Sequence, residues 1–164
     1  MTVMGPHLLA KVIDAHAAAL TLYARQWCRA PEDVVQEAFV KLAAVGTLPD
    51  NVVGWLYRVV RNAAISAGRA ARRRQRHETE AASRRPDWFV PNDGIGLDAR
   101  SAAAALDALP DEQRETIVAH LWGGLTFEQI GELTGVSSST AHRRYLAALE
   151  ALRRRLRVSC PRRN

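Results

Sequence analysis

Between Ser137 and Arg144 the chain reads SSSTAHRR, eight residues of which seven carry a hydroxyl, an imidazole or a guanidinium. Such groups bond to base edges and to phosphate oxygens, so the chemistry on offer is recognition of a nucleic acid. A second concentration lies upstream. From Tyr57 to Arg76 the sequence YRVVRNAAISAGRAARRRQR holds seven arginines and no acid, and it follows directly on Trp55. Phosphates are the natural counter-charge, with a solvated basic face as the plain alternative. Trp55 and Tyr57 beside arginines describe a surface on which unstacked bases can stack; both can equally serve a core, and one of the two is expected to do so.

Chemistry of other kinds finds little support. The acids are scattered, and His7, His16, His77, His120 and His142 show no ligand spacing. No glycine loop of the phosphate-cradling type is present. Cys28 and Cys160 are too few and too far apart for a disulfide framework or a metal site, and they fit a reducing compartment. Neither a metal nor a cofactor is expected, and the chain does not read as an enzyme.

The elements that must position these residues are helices. Thr126 and Gln129 fit a capping box, which starts a helix at TFEQIGELT, and Gly135 ends it with a residue that tolerates positive φ. Ser137 can cap the next helix, whose inward stripe is Ala141, Tyr145, Ala148, Leu149 and Leu152. Gly131 offers no side chain, so the two helices can cross closely. This is the layout of a helix-turn-helix, with Ser138, Ser139, His142 and Arg143 outward near the start of the second helix. Arg144 lies one step further round and is expected on a phosphate. An amphipathic hairpin that binds nothing is the plain alternative.

Upstream, Leu8, Leu9, Val12, Ile13, His16, Leu20, Tyr23 and Trp27 recur at helical steps and predict one long amphipathic helix. Pro31 opens a second, with Val34, Val35, Ala38, Phe39 and Leu42 inward and Asp33, Gln36, Glu37 and Lys41 outward. A third runs from about Val52 into the arginines, with Val53, Leu56, Val60 and Ala64 inward, Ile65 at the margin of that face, and Arg58, Arg61, Asn62 and Arg69 more exposed. ETEAASRRPDWFVPNDGIGLD has no sustained period and reads as a linker; helix resumes at SAAAALDALPDEQRETIVAHLWGG. No segment reads as a strand. The expected fold is all-α, with two small helical domains at 7–76 and 101–157 joined by a flexible linker at 77–100.

Composition agrees with a folded, basic protein: 164 residues, 48% hydrophobic, 24% charged, and 23 Lys+Arg against 17 Asp+Glu for a formal charge of +6. An acidic partner follows naturally. With no apolar run of membrane-spanning length and no cleavage-like signal, the expected location is the cytoplasm, without membrane insertion.

Three segments in order, DVVQEAFVKL, then WLYRVVRNAAIS with its arginines, then ALDALPDEQRETIVAHLWGGLTFEQIGELTGVSSSTAHRRYLAALEALRRRL, resemble a sigma factor of the extracytoplasmic-function type in the sigma-70 family. The first resembles region 2.2, the second regions 2.3 and 2.4, the last region 4. His142-Arg143 stands where members often carry Lys-Ser, a departure that bears on base preference.

That resemblance implies a set of roles. Core RNA polymerase and promoter DNA become the partners, with an anti-sigma factor as a further one. Asp33, Gln36, Glu37 and Val40 would dock on the clamp helices of the largest polymerase subunit, although a solvated face explains the acids equally well. Trp55, Tyr57, Arg58, Arg61, Asn62, Ser66, Arg69, Arg72 and Arg73 would meet the opened minus-ten element, with Asn62 at the base-reading position. Ser137, Ser138, Ser139, Thr140, His142, Arg143 and Arg144 would meet the minus-thirty-five duplex. The linker, with Trp88, Phe89, Glu78, Glu80, Asp87 and Asp93, resembles a segment that threads toward the polymerase cleft, or is a plain spacer. A helix-turn-helix regulator acting without polymerase is the rival reading; its weakness is the second basic surface.

Overall fold

The computed structural model describes residues 5–77 and 97–159, with side chains described for 5–77 and 99–156. The chain divides into two compact units, the boundary falling after Ser83. Among the described residues there are seven helices and no strand. The features attributed to the linker, Glu78, Glu80, Asp87, Trp88, Phe89 and Asp93, lie outside the described residues.

The first unit is built from α1 (Pro6–Ala24), α2 (Pro31–Ala44) and α3 (Val52–His77), packed on one another in all three pairings. Prolines stand at the first turns of α1 and α2, where a missing N–H costs nothing. Glu32 and Asp33 follow in the first turn of α2, where the helix dipole favours acids. Asn51 starts α3 by accepting the Gly54 N–H at 2.9 Å. The core is Leu20, Tyr23 and Ala24 of α1, the expected face of α2, and Leu56, Tyr57, Val60 and Ala64 of α3. Tyr23 sits at its centre, edge-on to Tyr57 at 4.9 Å and to Trp27 at 5.0 Å.

α1 is shorter than its periodicity predicts. It stops at Ala24, and Trp27 lies in a tight turn whose amides bond three residues back, Gln26 to Tyr23 at 3.4 Å and Trp27 to Ala24 at 3.1 Å. This turn is met from across the unit. Gly68 of α3 packs on this turn so closely that a Cβ there would stand 2.2 Å from the Trp27 carbonyl oxygen. Only glycine permits that approach.

The second unit holds α4 (Leu97–Asp107), α5 (Asp111–Leu121), α6 (Phe127–Thr134) and α7 (Ser138–Ser159). α4 begins four residues before the expected domain start, so residues 97–100 are helical where the sequence pattern predicts linker. α7 packs on α4, α5 and α6 alike. Ala103, Ala105, Leu106, Leu109, Ile117, Val118, Leu125, Ile130, Ala141 and Ala148 make the core.

Arg114 is buried at 3% exposure. It joins the end of α4 to the start of α5 by donating to the Asp107 carbonyl at 2.9 Å and to Asp111 Oδ1 at 2.6 Å. A charge so placed is tolerable only because these bonds replace its water.

Candidate nucleic-acid interface

α6 and α7 meet in a turn whose every bond is local. Thr126 Oγ1 accepts the Gln129 N–H at 3.2 Å, and Gln129 Oε1 accepts the Thr126 N–H at 2.9 Å, which completes the expected capping box. Gly135 ends α6 in the left-handed region at φ 75°. The Val136 N–H then turns back to the Gly131 carbonyl at 2.9 Å. Gly131 is the crossing point: a Cβ there would stand 2.6 Å from the Val136 oxygen.

Ser137 starts α7. Its Oγ accepts the Thr140 N–H at 3.1 Å and donates to Thr140 Oγ1 at 3.0 Å, and Thr140 Oγ1 also accepts from Arg143 Nη2 at 3.1 Å. Ser138, Ser139, His142 and Arg143 are exposed, while Ala141 and Ala148 on the opposite side are fully buried. The helix-turn-helix thus presents an ordered polar face whose first turn is knit together by hydroxyls. Thr140 is half-buried and serves as the junction of that knit rather than as an outward group.

Arg144 is placed differently from its expectation. Its Nη2 pairs with Glu112 Oε2 of α5 at 2.8 Å, and its side chain is only 23% exposed. A guanidinium engaged by a carboxylate of its own unit is a cross-helix tie first. The sequence offered no signal for it, because Glu112 lies 32 positions away and only the packing of α5 on α7 joins the two.

A cluster of rings supports the same face from beneath. His120 of α5 stacks on Phe127 of α6 at 4.5 Å and meets the edge of Tyr145 of α7 at 4.8 Å. Its Nδ1 lies 2.8 Å from the Leu125 carbonyl, an acceptor, so Nδ1 carries the hydrogen. His142 also meets Phe127, its ring tilted at 4.8 Å. Two of the histidines are thus ring contacts to one phenylalanine.

In the first unit, Arg58, Asn62, Ser66, Arg69, Arg73 and Arg76 are all exposed, at steps of four and three residues along α3. They form one stripe about 27 Å long, with Arg72 exposed beside it. Trp55, half-buried, stands one turn before Arg58 at its start. Two candidates leave the stripe. Arg61 is half-buried, its guanidinium 6.0 Å from the Trp27 ring centre. Tyr57 is fully buried, so a stacking role for it is ruled out. It shares the inward face with Val53, Val60 and Ala64, a period that outweighs its neighbourhood of arginines.

On α2, Asp33, Gln36, Glu37 and Val40 are exposed, Val40 at 62%. Glu37 meets Lys41 at 2.8 Å, as its spacing predicts. Behind this face lies an apolar groove of about 390 Å³ between α1 and α2, whose walls include Leu9, Ile13, Phe39, Gln36 and Val40. Among the described residues no group of acids, histidines and cysteines could hold a metal ion, and no helix is long and apolar enough to cross a membrane.

The described residues thus form two helical units, one a helix-turn-helix with an exposed polar face and the other carrying a long basic stripe. The first unit matches Sigma-70 region 2 over residues 12–76, and the second matches Sigma-70, region 4 over residues 99–152. The chain belongs to the sigma-70 family.

It is 30% identical over 134 residues to the ECF RNA polymerase sigma factor SigE of Mycolicibacterium smegmatis, covering 74% of this chain and 50% of the relative. To the RNA polymerase sigma factor CarQ of Myxococcus xanthus it is 35% identical over 105 residues, covering 62% and 58%. The chain therefore spans about half the length of these curated relatives. Two solved structures share its fold. One is the sigma factor RpoE in complex with the anti-sigma factor NepR from Bartonella quintana, with a TM-score of 0.73, 20% identity and coverage of 95% of this chain and 100% of that one. The other is CnrH in complex with the cytosolic domain of CnrY, with a TM-score of 0.63, 21% identity and coverage of 95% and 92%.

Proposed function

We propose that this chain is a sigma factor, which binds core RNA polymerase and directs initiation at specific promoters without performing catalysis itself. The observation that carries the reading is the presence in one chain of a helix-turn-helix and of the exposed stripe from Arg58 to Arg76. A regulator that reads an operator needs only the first. In this reading α7 enters the major groove of the minus-thirty-five duplex with Ser138, Ser139, His142 and Arg143, while the start of the helix favours a phosphate.

The α3 stripe, with Trp55, Arg58, Asn62, Ser66, Arg69, Arg72 and Arg73, receives the minus-ten element as it opens. Unstacking costs a few kcal/mol per step, and capture of a displaced base near Asn62 offsets part of that. Two small modules bind separated sites weakly unless a scaffold fixes their spacing, and core polymerase supplies it. Asp33, Gln36, Glu37 and Val40 form the docking face, backed by the apolar groove between α1 and α2. Both structural relatives are complexes with another protein, an anti-sigma factor in one case, which supports an anti-sigma partner for this chain also. The cytoplasm is where such a protein works.

Run-off transcription with core polymerase and a promoter library tests the reading. Promoter-specific transcripts that need the chain are expected. Sequence-specific binding by the isolated chain with no effect on polymerase would favour a conventional regulator instead.

A further inference from the structure

Leu146 is 49% exposed and lies outside the core of its unit. At 3.6 residues per turn it points away from the fully buried Ala141 and Ala148. It lies one turn beyond His142 and Arg143 and two beyond Ser139, so that 139, 142, 143 and 146 make one stripe at i, i+3, i+4 and i+7. Every other member of that stripe is polar. Single exposed leucines are ordinary on protein surfaces; this one stands at the C-terminal end of the face that would lie in the groove.

In the major groove each base pair shows a pattern of donors and acceptors, and the one apolar feature on any base edge is the C5-methyl of thymine. We propose that Leu146 is a specificity-determining residue, whose side chain packs on the methyl of a thymine in the upstream element, next to the base pair met by Arg143. The inference rests on the reading of α7 as the duplex-reading helix.

The surroundings fit DNA rather than an apolar protein partner. Arg143 and His142 flank the leucine on its N-terminal side, and Arg143 is exposed and hydrogen-bonded only lightly, to Thr140 at 3.1 Å. Glu150, one turn further along the same face, is exposed and acidic. A carboxylate is repelled by the phosphates that line the groove. Leu146 is thus the last position of the stripe compatible with contact, and its methyl groups close the reading face.

The test uses deoxyuridine, which differs from thymidine only by the missing methyl. Upstream elements are selected from randomised duplexes by holoenzyme formed from core polymerase and the full chain. Each thymine of the preferred element is then replaced in turn. With the parent chain, loss of one methyl is expected to weaken occupancy about fourfold, the worth of one buried methyl-sized group. Leu146→Ala should bind both versions alike, and Leu146→Met should restore the difference. Both variants should unfold at the parent's temperature, because the side chain leaves no core void.

An element with no methyl-sensitive thymine, or sensitivity that survives Leu146→Ala, overturns the inference while leaving the sigma-factor reading intact. Failure to direct polymerase to any promoter overturns that reading instead. The deoxyuridine series is then run on duplexes selected by the full chain alone, where methyl dependence abolished by Leu146→Ala upholds the inference. Absence of such dependence, or of any selected duplex, sinks it.

Discussion

Arg143 and Arg144 are chemically identical neighbours with different duties. Arg143 is exposed, while Arg144 is tied to Glu112 at 2.8 Å. Arginine reads guanine through O6 and N7 together, worth about 1–3 kcal/mol of discrimination. Arg143→Ala is therefore expected to relax preference at one or two base pairs when upstream elements are selected by holoenzyme. Arg144→Ala should keep the preferred sequence and act on the α5–α7 contact. A double-mutant cycle with Glu112→Ala should give a coupling of about 0.5–1 kcal/mol, the range of a partly exposed pair.

Tyr57 supplies a second test at this scale. Its hydroxyl is buried with no hydrogen-bond partner among the described residues. Tyr57→Phe should thus keep stability or raise it by about 1 kcal/mol in denaturant titrations. Burial also drives its phenol well above the ordinary value of 10.0. The folded state holds that proton more tightly than the unfolded chain does, so the contribution is complete below about pH 10 and is lost as pH climbs beyond it. Burial shifts Cys28 upward in the same direction. The parent should lose stability in strong alkali more steeply than Tyr57→Phe.

At the scale of elements, the tightest approach is made by the smallest residue. Gly68→Ala would drive a methyl into the Trp27 carbonyl, a backbone atom that cannot swing aside. We expect a loss of about 3 kcal/mol in the first unit, followed by Trp fluorescence during unfolding. On α2, Gln36→Ala with Glu37→Lys should leave helicity unchanged and sharply reduce co-elution with core polymerase, since both side chains are exposed.

Helices were legible where a face alternates cleanly. Val34, Val35, Ala38, Phe39 and Leu42 are all buried as their spacing predicts, and the capping box at Thr126 forms as read. Legibility failed where burial depends on distant partners. Arg114, Glu115 and Thr116 are buried in α5 although all three are polar, and nothing in their residue types announces it. Gly68, set among arginines, gave no hint of the turn it meets. Arg61 and Tyr57 were grouped with the basic surface by neighbourhood, although helical phase turns one half inward and the other fully so.

For the molecule as a whole, the charge of +6 matters through its placement. Seven arginines lie on α3 alone, and every residue of its exposed stripe except Asn62 is arginine or serine. Arg72→Ala or Arg73→Ala should weaken promoter binding evenly and lower the slope of log K against log salt by about one for each phosphate no longer neutralised. Asn62→Ala should instead change which base is accepted in the opened strand, with little change of slope. Open-complex assays across a salt series and a set of minus-ten variants separate the two kinds of effect.

α3 has no buried residue after Gly68, although it continues to His77. Its last turns, with arginines at 69, 72, 73, 74 and 76, gain nothing from a core and repel one another. Isolated helix of that length is marginal in water, so this end should open locally at low cost. Its amides are expected to exchange with deuterium well before those around Leu56 and Val60. A nucleic acid laid along the stripe would neutralise the repulsion and slow that exchange. The promoter would then complete the helix that holds it, and part of the binding free energy would be spent in folding its own receptor.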